Sequence, residues 1–164
     1  MIKTKDFVIR TVEHEDIEFI HSLNNPDFRG EYQEFQFESK QFLVKSFETD
    51  GLISDRFQML VAEADKQIIG LVYINFVRPG LVSIGLVICE NQRAKNIGTQ
   101  ITLTIVKYLF DNYDIQRIQA DTDINNLSAQ RVLEKAGFKK EGILKSYRYH
   151  HGKYNDSVLY AVTK

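Results

Sequence analysis

The sequence predicts an α/β domain (mixed α+β) with a central mixed, mostly antiparallel sheet and helices on both faces. Three observations lead there. Apolar runs between Phe57 and Ile88 are joined by very short turns, which predicts three antiparallel strands in succession. A helical run over Ile97–Asn112 separates that set from a further strand at 115–122, and a strand–helix–strand crossover makes its two strands parallel. A second capped helix and a hairpin then close the chain.

The elements follow in order. Residues 7–10 are a short apolar run with the character of an edge strand. Asp16 opens a helix carrying Ile17, Ile20 and Leu23 at helical spacing, and Asn24-Asn25-Pro26-Asp27 ends it. In segment 28–38, Phe28, Tyr32, Phe35 and Phe37 are interleaved with Glu31, Glu34 and Glu38; it reads as loop or irregular helix. Ser39 stands as N-cap to a helix over 40–49, striped by Phe42, Leu43, Ser46 and Phe47 and closed by Asp50-Gly51. Strands Phe57–Ala64 and 67–77 turn on Asp65-Lys66, and Arg78-Pro79-Gly80 leads into strand 81–88. The Ile97–Asn112 helix places Ile97, Ile101, Ile105 and Leu109 four apart, a broad apolar face that lies on a sheet. Asn125 or Asn126 caps a helix running to Ala136, with Gly137 as its left-handed stop. Strands 138–145 and Lys153–Thr163 meet near His150-His151-Gly152. No repeat, linker or low-complexity stretch divides the chain, so 1–164 reads as one domain.

Composition excludes several classes. The 164 residues carry 21 Lys and Arg against 22 Asp and Glu, a net charge of −1, without the basic bias of a nucleic-acid binder. No apolar run approaches the ~20 residues that span a bilayer, and the first residues lack the apolar core of a signal peptide. The expectation is a cytoplasmic protein with no nucleic-acid and no membrane partner. The single cysteine, Cys89, rules out an internal disulfide; it reads as a small buried filler, since no His lies near it in sequence. His14, His21, His150 and His151 have no metal-ligand spacing and read as surface or turn residues, so no metal is expected.

The chain is organised around Cys89-Glu90-Asn91-Gln92-Arg93-Ala94-Lys95-Asn96-Ile97-Gly98-Thr99. A strand that passes through a basic, small-residue turn into a helix can hold a phosphate, because the first free N–H groups and the helix dipole both favour an anion. Asn96 tolerates a left-handed conformation, Gly98 permits close backbone approach, and Arg93 and Lys95 add positive charge. The plain alternative is an ordinary strand–turn–helix link with a capping Asn.

Two stretches resemble one family. Arg93-Ala94-Lys95-Asn96-Ile97-Gly98 is similar to the R-x-x-G-x-G pyrophosphate loop of the GNAT superfamily of acetyl-CoA-dependent N-acetyltransferases. The stretch from Asn125 through Ser128, Leu133, Glu134 and Lys135 to Gly137-Phe138 resembles that family's N-x-x-S…L-E-K-x-G-F segment. Ile9-Arg10, Glu15-Asp16, Ile84-Gly85, Glu141-Gly142 and the closing Gly152, Asp156 and Tyr160 look most like the branch of ribosomal-protein N-terminal (Rim-type) acetyltransferases. There are departures: Asn96 stands for the loop's first glycine, Leu133 for a frequent Tyr acid, and Ser83 for a frequent acidic residue.

The resemblance implies a GNAT-like fold and an acyltransferase in which an amine attacks the acetyl-CoA thioester directly. Leu86, Val87 and Ile88 would offer backbone groups to the pantetheine arm, with an N–H of Val87 or Ile88 polarising the thioester carbonyl. Arg93, Ala94, Lys95, Asn96, Ile97, Gly98 and Thr99 would hold the pyrophosphate. Ser128 is the candidate catalytic residue, a hydrogen-bond donor to the departing sulfur, and Asn125 would fix a pantetheine amide or cap its helix. Asp121, Asp123, Glu34 and Glu38 are the candidates for a weak base. A protein or peptide N-terminus is the first acceptor implied; the alternatives are a small amine (aminosugar, aminoglycoside, polyamine or amino acid) or a non-catalytic acyl-CoA sensor. The aromatic segment and the sheet edge offer surfaces for a homodimer.

Overall fold

The computed structural model describes residues 1–23, 30–32, 34 and 37–164. The expected helix end at 24–27, together with Phe28 and Phe35 of the aromatic segment, lies outside the described residues. Among these residues, eight strands form one sheet: β1 (Ile2–Lys3), β2 (Val8–Thr11), β3 (Phe57–Ala64), β4 (Gln67–Arg78), β5 (Gly80–Ile88), β6 (Ile115–Asp123), β7 (Lys139–His150) and β8 (Lys153–Thr163). Their order is β1-β2-β3-β4-β5-β6-β8-β7, and only the β5–β6 pair is parallel. The helices are α1 (Ile17–Ser22), α2 (Lys40–Asp50), α3 (Ile97–Asn112) and α4 (Leu127–Lys135). None of them is long and apolar enough to cross a membrane.

The strand period of two divides the core between the two faces. Leu60 and Ala62 of β3, Val72 and Ile74 of β4 and Ile118 of β6 pack against Ile101, Ile105 and Leu109 of α3 and Leu133 of α4. The alternate residues Met59, Val61 and Leu71 pack on the other face against Ile17 and Ile20 of α1 and Leu43 of α2. Burial of each of these side chains other than Ala62 contributes ~1.5–3 kcal/mol.

Turn chemistry fixes the joints. Asp65 (φ 50°) and Lys66 (φ 60°) are both left-handed, as a two-residue hairpin requires. Gly137 (φ 89°) ends α4: its N–H donates to Glu134 O (3.0 Å), and that of Phe138 to Leu133 O (3.0 Å). Some boundaries differ from expectation. β1 is a two-residue strand without a sequence signal of its own. A 3-10 turn, His14–Asp16, precedes α1, because the Asp16 carboxylate accepts the Glu13 N–H (2.8 Å) from inside the turn. β7 runs on to His150 past an irregularity between Leu144 and Arg148, where Ser146 takes φ 49°.

One feature of the sheet positions the site. β5 and β6 pair only from Gly80 to Ser83 on one strand and Ile115 to Gln119 on the other. Beyond Ser83 they part, while β5 stays paired to β4 as far as Ile88 and β6 to β8 as far as Asp123. The result is a wedge in the middle of the sheet. α3 follows β5 and α4 follows β6, so both helices begin at its open end, the position where α/β sheets take ligands.

Candidate active site

The loop between β5 and α3 winds through two left-handed residues, Ala94 (φ 61°) and Asn96 (φ 63°). Asn96 is the N-cap of α3, but its side chain makes no capping bond. Its value is its φ, which Asn tolerates better than other non-glycine residues. The Gln100 N–H donates to Asn96 O (3.2 Å), so the N–H groups of Ile97, Gly98 and Thr99 lie before the first closed turn and have no intrahelical acceptor. Arg93 and Lys95 are exposed beside them. Left-handed turns, free donors and two cations make an anion cradle that fits a pyrophosphate. Gly98 serves packing: a Cβ there would lie 3.4 Å from Val132 Cγ2 and 3.6 Å from Ile88 Cγ1, so the glycine lets α3 close on α4 and β5.

Strand alternation sorts the backbone of β5. The Cys89 N–H donates to Ile69 O of β4 (3.0 Å), and the Val87 carbonyl is directed at Gly70 of β4. Residues 87 and 89 therefore turn their backbone groups away from the wedge, and Leu86 and Ile88 turn theirs into it. The backbone groups of Val87 face β4, where Val87 pairs with Leu71. The Ile88 carbonyl is taken by Arg93 Nε (3.1 Å). That leaves the Ile88 N–H and both groups of Leu86 facing the opening, as a narrow slot of donors and acceptors suited to an amide-bearing chain.

At the other helix the cap is Asn126, whose side chain accepts the Ala129 N–H (3.1 Å). Asn125 is thereby released from capping; it is exposed, and its N–H donates to Asp123 Oδ1 (2.8 Å). Ser128 is exposed in the first turn of α4. Val132, one turn further along the same face, packs on Gly98. Ser128 thus stands on the side of α4 that looks toward the start of α3.

On the face opposite α3 and α4, the strand ends carry a polar cluster. Arg148 Nη2 donates to Asp121 Oδ2 (2.7 Å) and Arg148 Nε to Ser157 Oγ (3.0 Å). Asp121, a candidate base from sequence, is therefore tied to a cation. Asp123 is 1% exposed and pairs with His150 Nε2 at 2.7 Å. Burial pushes the Asp123 carboxyl up, but the Asn125 N–H and His150 outweigh it, and the net shift is below the usual carboxylate value. His150 is a correction: the sequence suggests a turn or surface residue, yet its side chain is 8% exposed. The carboxylate lies 27 positions away, so no local signal marks it. Cys89 is half-buried; its thiol meets Ile68 O (3.4 Å), and burial pushes its pKa up, away from a nucleophile's.

Segment 30–34 spans the site where it is described. Gly30 lies against Arg93, and a Cβ there would be 3.7 Å from the guanidinium. The Glu31 carbonyl accepts from His151 Nε2 (2.9 Å), and Glu34 Oε1 accepts the Tyr149 N–H (3.2 Å). An acidic strap therefore links the anion cradle to the tip of the β7–β8 hairpin.

A wedge with an anion cradle at its mouth and helix N-termini on both sides is an architecture for acyl-carrier thioesters. The family model for the acetyltransferase (GNAT) domain matches residues 9–159, and the chain belongs to that family. It is an acyltransferase with acetyl-CoA as cosubstrate. The chain is 23% identical over 162 residues to the SPbeta prophage-derived uncharacterized N-acetyltransferase YokL of Bacillus subtilis, covering 98% of this chain and 91% of that one. It is 25% identical over 152 residues to the spermidine N(1)-acetyltransferase of Vibrio cholerae, with 90% and 87% covered. Two solved structures share the fold. The Vibrio cholerae spermidine N-acetyltransferase in complex with CoA and spermine has TM-score 0.86 at 22% identity, covering 98% and 96%. RimL, a ribosomal L7/L12 alpha-N-protein acetyltransferase in complex with CoA, has TM-score 0.87 at 18% identity, covering 98% and 95%. The family is thus established, whereas the Rim-type branch is not singled out.

Proposed function

We propose that this enzyme transfers the acetyl group of acetyl-CoA to a primary amine of a small, multiply charged cation of the polyamine class. The observation that carries the reading is the strap: Gly30 lies against Arg93, the Glu31 backbone meets His151, and the Glu34 carboxylate sits on the Tyr149 N–H, so an acidic segment and one located carboxylate stand beside the approach to the wedge. A flexible polycation suits such a rim, where opposite charge steers encounter. The similarity to a spermidine N(1)-acetyltransferase over most of both chains supports the same class. A protein N-terminus, the first acceptor implied by the sequence, has the likeness to RimL in its favour, and that likeness is one of fold.

In this reading the N–H groups of Ile97, Gly98 and Thr99, with Arg93, Lys95 and the left-handed Ala94 and Asn96, hold the pyrophosphate. Leu86 and Ile88 pair with the pantetheine arm as a missing strand would, and the Ile88 N–H is the donor placed for the thioester carbonyl. The acetyl thioester supplies the electrophile when bound. Ser128 hydrogen-bonds the departing sulfur, and Asn125 holds an amide of the arm. The test is CoA release from acetyl-CoA against spermidine, spermine, an aminoglycoside, free amino acids and peptides with free N-termini. Turnover is expected with the polyamines. Turnover on peptides alone would replace this reading with the N-terminal one, and CoA binding without turnover on any amine would replace it with a sensor.

A further inference from the structure

α4 carries two cations without a partner. Arg131 and Lys135 are exposed, and among the described residues neither side chain has a hydrogen-bond or ion-pair partner. They stand at i and i+4, where like charges repel and destabilise a helix. Glu134, the one acidic residue of α4, does not offset them: its carboxylate is turned to β8 and accepts the Tyr160 hydroxyl (2.8 Å). Lys135 lies in the last turn, where the helix dipole favours a cation. Arg131 is in the middle of the helix and has no such account.

The packing of α4 shows what the two cations face. Ser128, Arg131 and Lys135 are spaced i, i+3 and i+7, so they form one row along the helix. At 3.6 residues per turn, Val132 lies between this row and Leu133, which is buried in the core. Val132 also packs on the first turn of α3, where its Cγ2 is 3.4 Å from the place of a Gly98 Cβ. The row therefore runs along the outer side of the seam between α3 and α4. Arg131, next to Val132, is level with the start of α3, and Lys135 is one turn beyond. The cradle formed by Arg93 and Lys95 is thus continued across the seam by two further cations.

We propose that Arg131 and Lys135 bind the 3′-phosphate of CoA, so that the nucleotide lies over the α3–α4 seam. The proposal rests on the placement of the pyrophosphate given above. A phosphate monoester carries about two negative charges near neutral pH. Arg meets its oxygens with two parallel N–H bonds, and Lys adds a point charge. The cosubstrate then runs from the wedge, over the start of α3, onto the exposed row of α4. The repulsion between Arg131 and Lys135 in the free protein is relieved when the dianion sits between them.

The experiment is calorimetric titration of the wild type, Arg131→Gln, Lys135→Gln and Arg93→Ala with CoA and with 3′-dephospho-CoA, which lacks only this phosphate. The wild type is expected to prefer CoA by ~10-fold or more, the equivalent of a hydrogen bond between charged groups. R131Q should lose most of that preference, binding CoA more weakly and 3′-dephospho-CoA as the wild type does. K135Q loses a smaller part of it. R93A weakens both ligands alike, because both carry the pyrophosphate. The readout is a ratio of affinities on one protein, which a general loss of stability does not change. A wild type that binds the two ligands equally would overturn the proposal alone. So would an R131Q that weakens both alike, or a preference kept in R131Q and lost in R93A, which would move the phosphate to the loop. A wild type that binds neither ligand would remove the cosubstrate reading and this proposal together.

Discussion

Arg93 donates from Nε to the carbonyl of Ile88 at 3.1 Å. The bond closes the loop over the last residue of β5, so the cradle for the anion and the slot for the amide chain move as one piece. In the proposed reading the terminal guanidinium nitrogens of the same side chain meet a phosphate. Arg93→Ala is therefore expected to weaken acetyl-CoA binding by roughly 10–100-fold, the equivalent of one charge-assisted hydrogen bond. Calorimetric titration checks this; an unchanged affinity would reduce Arg93 to a brace of the loop.

Asn96 replaces a glycine of the family loop yet adopts φ 63°. Asn96→Gly is expected to bind acetyl-CoA at least as well as the wild type. Asn96→Val puts a β-branched residue in the left-handed region, at a cost of ~1–2 kcal/mol or more. Thermal unfolding with and without acetyl-CoA separates the two variants: the valine enzyme melts lower and gains less from the ligand.

Gly70 sits where a Cβ would stand 2.6 Å from the Val87 carbonyl. That oxygen is backbone and cannot swing aside, so Gly70→Ala must push β4 from β5. The expected cost is ~1–3 kcal/mol, as for other overpacked sites. Because Val87 lies between Leu86 and Ile88, the wedge is expected to distort and acetyl-CoA affinity to fall as well. A denaturant melt and a binding titration on the same sample test both effects; loss of stability without loss of affinity would separate the glycine from the site.

Legibility followed the range of the signal. The Ile97–Asn112 helix and the Lys153–Thr163 strand are found at the expected bounds, the first because its apolar spacing runs through the whole helix, the second because its apolar run follows directly on the His150-His151-Gly152 turn. The parallel pairing of β5 with β6 follows from the crossover alone. The stop at Gly137 and the turn at Asp65-Lys66 are local chemistry. The parting of β5 from β6 after Ser83 has no clear local signal: β5 keeps its apolar run to Ile88, and Asp121 and Asp123 of β6 read equally well as the polar face of a paired strand. His150 escaped notice for a related reason. Its partner Asp123 lies on β6, which β8 separates from β7 in the sheet, so the two side chains meet across β8 and the pair exists in the topology and not in any window of sequence. The loop motif named the family from the order of its residues, and the structure adds which of their groups are free to bind.

The N-terminal half of the sheet is pinned by a buried ion cluster whose pH dependence can be worked out in sign. Arg10 Nη1 meets Asp16 Oδ2 at 2.6 Å, and its Nη2 meets Glu63 Oε2 at 2.6 Å, joining β2 to β3 and to the turn before α1. Burial pushes the Asp16 carboxyl up. The Arg10 guanidinium and the Glu13 N–H together outweigh that, and the net shift is downward from 3.8. A carboxyl whose folded pKa is lowered contributes stability that is fully present above its unfolded value and lost as pH falls through the folded one. Asp123 shifts in the same direction for its own reasons, and adds to the same acid limb. Stability is therefore expected to hold near neutral pH and to decline below about pH 4. Asp16→Asn leaves the Arg10 charge short of a partner, at a cost of ~3–5 kcal/mol near neutral pH. It also flattens the acid limb relative to the wild type. Denaturant melts of both proteins at a series of pH values between about 3 and 7 give the two slopes, and equal slopes would show that the Asp16 carboxylate carries no part of the acid dependence.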